Sequence, residues 1–272
     1  SYLVFGGVAW FGFLFGLGSA WRTSREGDPI GQQSYLWIAI GLAAGAALIP
    51  WTRRLLARVL PFDPRSKPDM IALTLLLAIL GFSVVSLFYD NELTSSPGYA
   101  DVGLQAILLT TLALFGVGMF VVRSVPETLE RLGLVVPTLR QVAIALGLVF
   151  VAFAISVTSS ILLDLLQPNL SQDIQDNLAL TTDQLDSVWG AIFLGLAAGI
   201  SEESLFRGAF QPRFGVLFTT LVFALLHTQY GASVITVGVF GVGLIFALER
   251  KHLNTTCAVI THATYNALAV ML

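Results

Sequence analysis

Charge is what this chain has least of. Only 11% of its 272 residues are Asp, Glu, Lys or Arg, about half the share of an average soluble domain. Against this, 56% are hydrophobic and the mean hydropathy is +0.81. Such a composition excludes a soluble globular domain and leaves a polytopic membrane protein. Cysteine is almost missing too: the single Cys257 rules out an intramolecular disulfide and any multi-cysteine metal site. A net charge of −3 excludes a strongly basic surface, so no nucleic-acid partner is expected.

What the chain has instead is long apolar runs. A helix needs about 20 apolar residues to cross about 30 Å of hydrocarbon. Windows of that size between polar breaks fall at residues 2–21, 35–51, 70–89, 104–122, 142–166, 188–210, 216–230, 233–248 and 256–272. The expected fold is an all-α, polytopic transmembrane helix bundle with eight or nine membrane segments, forming one α-helical membrane domain over 1–272. The last three windows are short and are expected to pack inside the bundle around the sixth. Trp21, Trp37, Trp51, Tyr89, Trp189 and Tyr230 lie near window ends, where interfacial aromatics belong. The first window lacks a basic leader and is too long for a signal-peptide core, so it reads as a membrane segment.

Lys and Arg set the orientation, because cytoplasmic loops retain them. Loops after the second, fourth, sixth and eighth windows hold Arg53, Arg54, Arg58, Arg65 and Lys67; Arg123, Arg131 and Arg140; Arg207 and Arg213; Arg250 and Lys251. Loops after the third, fifth and seventh hold none. Arg22 and Arg25 in the first loop are the exception, offset by Glu26 and Asp28. The N-terminus is expected in the cytoplasm. Residues 123–141 read as a short amphipathic cytoplasmic helix ending in a turn, and residues 167–187 as a helix at the far membrane surface. The pairs Gly12/Gly16, Gly41/Gly45 and Gly195/Gly199 let helices approach closely.

Ionisable groups inside apolar segments cost about 2.5 to 3.5 kcal/mol each on insertion scales, so a cluster of them points to function. Glu202 and Glu203 sit in the sixth window, with Arg207 one turn after Glu203 and able to pair with it. Glu202 projects about 100° away on an ideal helix, which reads as a reactive Glu202 beside a structural Glu203. Counted from the cytoplasmic segment ends at the helical rise, Glu202 lies about 12 Å deep, His227 about 16 Å and His262 about 9 Å. Asn266 follows His262 by one turn. Glu202 with His227 can deprotonate a water, and a neutral His262 with Asn266 can donate to an oxyanion. Glu202, His227 and His262 are equally a candidate Zn²⁺ set with water as fourth ligand. These residue types leave both chemistries open.

Glu202-Glu203-x-x-x-Arg207, Phe223-x-x-x-His227 and His262-x-x-x-Asn266, in that order on three late segments, resemble the motifs of the CAAX protease and bacteriocin-processing family, also called CPBP or Abi, which includes the type II CAAX prenyl endopeptidases. Glu130-Arg131-Leu132-Gly133-Leu134 is similar to the family's lead-in. The resemblance runs over 127–272, a protease-like core, and leaves N-terminal helices 1–122 outside it. It implies an intramembrane endopeptidase, a hydrolase with Glu202 and His227 activating water and His262 and Asn266 forming the oxyanion site, while Glu203, Arg207 and Phe223 shape it. The expected substrate is a peptide or protein cleaved near the cytoplasmic face, in a membrane-lipid setting. The alternative from another class is a non-proteolytic partner subunit or assembly factor of a larger membrane complex, docking through the N-terminal helices. A transporter ranks third, because no paired broken helices are evident.

Overall fold

The computed structural model describes residues 2–26, 30–88, 96–120 and 122–272. Asp28 and Tyr89 lie outside the described residues. In chain order the helices are α1 (Tyr2–Glu26), α2 (Gln32–Leu48), α3 (Pro50–Leu56), α4 (Lys67–Ser86), α5 (Tyr99–Gly116), α6 (Val125–Leu132), α7 (Leu139–Leu166), α8 (Pro168–Thr182), α9 (Val188–Glu203), α10 (Gln211–Phe214), α11 (Val216–Leu226), α12 (Val234–His252) and α13 (Thr255–Met271). A π-helical stretch, Ser204–Phe210, continues α9 into α10. Apart from an isolated bridge between Met119 and Arg123, no strand occurs among the described residues.

Among the described residues, four helical stretches are long and apolar enough to cross a membrane: Lys67–Ser86, Tyr99–Gly116, Leu139–Leu166 and Val188–Phe214. Helices α2 and α3 qualify together as a fifth, bent by 84° at their junction. The outward face of α7 carries Leu146, Phe150, Val157, Ile161 and Leu165, all exposed. A protein that leaves such faces uncovered is an integral membrane protein. In lipid the helices gain nothing from burying apolar surface against each other, so close packing, small residues and polar contacts hold them together.

The chain forms two compact units. The first comprises Ser1–Asn91 and Arg213–Ala232. Within it α1 packs on α2, α2 on α4 and α4 on α11. The α1–α2 approach is close enough that a Cβ on Gly41 would lie 2.5 Å from the Phe13 nitrogen, which explains the small-residue spacing there. Arg213 reaches back to Asp69, Nε to Oδ1 at 3.0 Å.

The second unit comprises Glu92–Pro212 and Ser233–Leu272. Helix α9 packs against α5 and α13, and α7 supports α12 and α13. Ala152, Val242, Phe246 and Ala258 form a buried cluster, with Tyr265 against it. Both polar connectors fold as helices. Residues 123–141 contain α6, closed by Gly133 at φ 74°, a left-handed position that glycine adopts without penalty. Residues 167–187 contain α8.

Candidate active site

The second unit brings a glutamate, an arginine and a histidine into one buried array. It begins with helix approach. Ser187 caps α9, accepting from the Gly190 nitrogen at 3.0 Å. Two turns on, Gly195 and Gly199 press α9 onto α13: a Cβ on Gly195 would stand 2.4 Å from the Ala263 carbonyl oxygen, and one on Gly199 would stand 3.0 Å from Ala263. The same row of α9, four residues further, is Glu203. It therefore arrives beside His262, the neighbour of Ala263, and the His262 Nδ1 lies 2.9 Å from Glu203 Oε1.

Arg207 sits on the other carboxylate oxygen, Nε to Oε2 at 3.2 Å, with both side chains fully buried. Its Nη2 donates to the Gly243 carbonyl at 2.9 Å, and its guanidinium lies 5.7 Å from the Phe246 ring centre. Phe246 also stacks on His262, with centroids 4.6 Å apart and planes 16° off parallel. Glu203 thus holds Arg207 and His262 together while Phe246 forms one wall.

The π-helical turn places Arg207. A π-helix widens the backbone ring and loosens its regular hydrogen bonding, which other groups must compensate. Here Arg131 Nη1 donates to the Gly208 carbonyl at 3.3 Å; just past the turn, Gln211 Nε2 donates to the Ala247 carbonyl of α12 at 2.8 Å. Arg207 and Gln211 grip successive turns of α12. Arg131 belongs to the Glu130–Leu134 stretch, whose other residues dock the start of α13: the Leu132 carbonyl accepts from Thr255 Oγ1 at 2.5 Å and the Gly133 carbonyl from the Thr255 nitrogen at 3.0 Å, and just beyond the stretch the Val135 carbonyl accepts from Thr256 Oγ1 at 2.7 Å.

Proton bookkeeping constrains His262. A carboxylate only accepts, so Nδ1 carries the hydrogen of the Glu203 bond, and Nε2 bears the lone pair in the neutral ring. Donation from Nε2 therefore requires the imidazolium. Asn266 follows one turn along α13 and is half-buried. Glu202 is half-buried as well, but its Oε2 is sealed from solvent and accepts no hydrogen bond among the described residues. A buried carboxylate oxygen without a donor is costly unless water, substrate or a cation meets it.

Phe223 and His227 belong to the first unit. His227 ends α11, where its backbone leaves helical geometry at ψ 60°. Its Nδ1 is 2.9 Å from the Phe223 carbonyl, so Nδ1 donates and Nε2 again bears the lone pair. The imidazole lies 4.7 Å from the Phe223 ring centre and is parallel to Tyr230 within 3°.

The structure adds a residue that the sequence reading passed over. Glu249, 2% exposed, accepts at Oε1 from Thr261 Oγ1 at 2.7 Å, and its Oε2 is buried without a partner. Beside Arg250, Lys251 and His252 it reads as one more loop charge. Only its place directly after the apolar window at 233–248, one turn after Ile245 and Phe246, could have marked it as part of the same helix. Within the second unit, no described group of three or more His, Cys, Asp and Glu is placed to hold a metal ion.

Residues 184–268, just under a third of the chain, match the family described as Type II CAAX prenyl endopeptidase Rce1-like. The chain is therefore similar to the CAAX proteases over this stretch, which contains Glu202, Glu203, Arg207, Phe223, His227, His262 and Asn266. No curated protein and no solved structure matches the chain.

Proposed function

We propose that this protein is an intramembrane endopeptidase of the CAAX type. The observation that carries the reading is the buried Arg207–Glu203–His262 array beside a Glu202 oxygen that lacks a donor, inside the stretch that resembles those enzymes. Glu202 and His227 hold a water and take its proton as it attacks the scissile carbonyl carbon. His262 and Asn266 donate to the oxyanion; the tautomer set by Glu203 means that His262 does so as imidazolium. The C–N bond then breaks, and the proton passes to the departing amine.

Eight or nine membrane segments, with the N-terminus in the cytoplasm, would open this site toward the cytoplasmic face. If Zn²⁺ is bound, Glu202, His227 and His262 are the residues that would hold it. Each carries a donor of the right kind, an imidazole nitrogen on His227 and His262 and a carboxylate oxygen on Glu202, but among the described residues no three such groups are placed to hold a metal ion together. The ion would supply an acidified water.

A second reading, a non-proteolytic subunit of a membrane complex, draws on α1, where Trp10, Phe11, Phe15 and Trp21 are all exposed. The deciding experiment reconstitutes wild type and Glu202→Gln in lipid and follows cleavage of prenylated and hydrophobic peptides. Loss of a positioned base costs about 10² to 10⁴ in rate. Cleavage by wild type that collapses in the variant supports the protease; equal rates, or no cleavage while a partner complex assembles with both, supports the subunit. Activity lost to a chelator and restored by zinc selects the metal form.

A further inference from the structure

The first unit carries a feature for which proteolysis has no use: the elbow after α2. The axes of α2 and α3 diverge by 84° across a break at Ile49, and Pro50 opens α3. Arg53 is turned inward and only 5% exposed. Its Nη1 donates to the Ala47 and Leu48 carbonyls at 3.2 Å each, and its Nε to the Pro64 carbonyl at 3.1 Å. A guanidinium on the last carbonyls of α2 answers the negative end of that helix. Its third bond ties the bend to the loop that leads into α4. The elbow is therefore built into the fold. With 17 residues, α2 is about 25 Å long, close to the hydrocarbon thickness. A helix nearly perpendicular to a spanning one lies along the membrane surface.

The outer face of the elbow has the chemistry of that depth. Trp51, Leu55 and Val59 recur every four residues and are 69%, 43% and 79% exposed. Helical hydrogen bonds continue past α3, from the Ala57 nitrogen to the Arg53 carbonyl and from the Leu60 nitrogen to the Leu56 carbonyl, which keeps these three on one strip. Arg54 and Arg58, also four apart and exposed, run alongside it, and exposed Arg65 and Lys67 follow. The acids of the same stretch are Asp63, which is exposed, and Asp69, which faces Arg213. Cations exceed uncommitted acids here. An aromatic-aliphatic strip flanked by arginines matches the boundary between acyl chains and phosphates, where the stems lie in apolar surroundings and the heads meet anions.

We infer that residues 50–60 are a seat for anionic phospholipid: Trp51, Leu55 and Val59 rest at the acyl boundary, and Arg54 and Arg58 hold headgroup phosphates of the bilayer. The inference is independent of the proteolytic reading. To test it, Val59→Cys in a Cys257→Ala background is labelled with bimane and placed in nanodiscs of phosphatidylcholine, or of phosphatidylcholine mixed with phosphatidylglycerol. Quenching is then compared between headgroup-spin-labelled forms of the two lipids. The spin-labelled phosphatidylglycerol should quench more strongly, and added salt should erase the difference. Each cation near an anionic surface contributes about fivefold in local partitioning, so Arg54→Gln with Arg58→Gln should reduce the enrichment by about fivefold to 25-fold. Arg54→Lys with Arg58→Lys should keep most of it. Equal quenching by the two lipids, or enrichment untouched by the glutamine pair, overturns the inference. So does quenching of the bimane by aqueous iodide as fast as free dye, which puts the segment in water. Competition by soluble glycerol phosphate would also overturn it, pointing to a soluble anion instead of the bilayer.

Discussion

Glu203→Gln is the substitution that tests the buried array most directly. Glutamine keeps the volume and still offers an oxygen to the His262 Nδ1, so the packing and one hydrogen bond survive. What disappears is the negative charge 3.2 Å from Arg207, in a pair with 0% exposure on both sides. Arg207 cannot shed its proton, its bond to the Gly243 carbonyl supplies a dipole and not a counter-charge, and Glu202 and Glu249 act on it less than Glu203 does. Removing one partner of a buried ion pair costs about 3 to 5 kcal/mol. At about 2 to 4 °C per kcal/mol for a chain of this size, the midpoint of thermal unfolding should fall by about 6 to 20 °C. Glu202→Gln is the internal control: its charge acts on Arg207 less than that of Glu203 does, so the substitution should shift the midpoint by less. Both are measured by intrinsic tryptophan fluorescence in detergent and again in nanodiscs. A double variant, Glu203→Gln with Arg207→Met, should recover part of the loss, because the uncompensated charge is gone. Equal midpoints for Glu203→Gln and Glu202→Gln would refute the claim that the pair, and not the carboxyl group alone, stabilises the fold.

Three further outcomes follow from the same geometry. His262→Ala or Asn266→Ala should slow peptide cleavage by about 10² to 10³, the worth of an oxyanion donor, with midpoints less affected than in Glu203→Gln; full turnover in either variant would remove that residue from the oxyanion site. Gly195→Val should separate α9 from α13, since even a Cβ there meets the Ala263 carbonyl at 2.4 Å; the cost is about 1 to 3 kcal/mol or more, and wild-type stability would refute the close approach. At the surface, Ser124 donates through both its hydroxyl and its backbone nitrogen to Glu127 Oε2 at 2.7 Å, holding that carboxyl below its ordinary value. A lowered folded-state pKa means that the cap stabilises α6 above the unfolded value of 4.5 and is lost as pH falls through the folded one. Amide protection factors in α6, taken relative to the intrinsic exchange rate at each pH, should therefore fall on acidification below that value, and Glu127→Gln should flatten the response.

The legible parts of this chain were those that cost free energy to place. Apolar runs announced α4, α5, α7 and α9 to within a few residues at most ends, because a membrane tolerates few alternatives to a long helix. Pro50 could have announced the elbow, since the window at 35–51 runs straight through a residue that commonly opens a new helix. The π-helical turn had no local signal. Arg131 bonds its Gly208 carbonyl, Arg207 and Gln211 tie the segment to carbonyls of α12, all these partners are distant in sequence, and no period in residues 204–210 encodes it.

Which carboxylate meets His262 was also missed, although here the sequence held a usable clue. Glu202 and Glu203 differ by about 100° on the helix, so the direction of the α13 contact decides between them. Gly195 and Gly199 mark that direction, being the residues that admit a neighbouring backbone. Continuing the row by four gives Glu203, and by four more Arg207. The small-residue row and the charged pair are thus one stripe: its glycines bring α13 close, its glutamate receives the histidine that α13 carries, and its arginine balances the charge. Glu202 stands off the stripe with a buried oxygen still to be satisfied, and that asymmetry is what the proposed hydrolytic role requires of it.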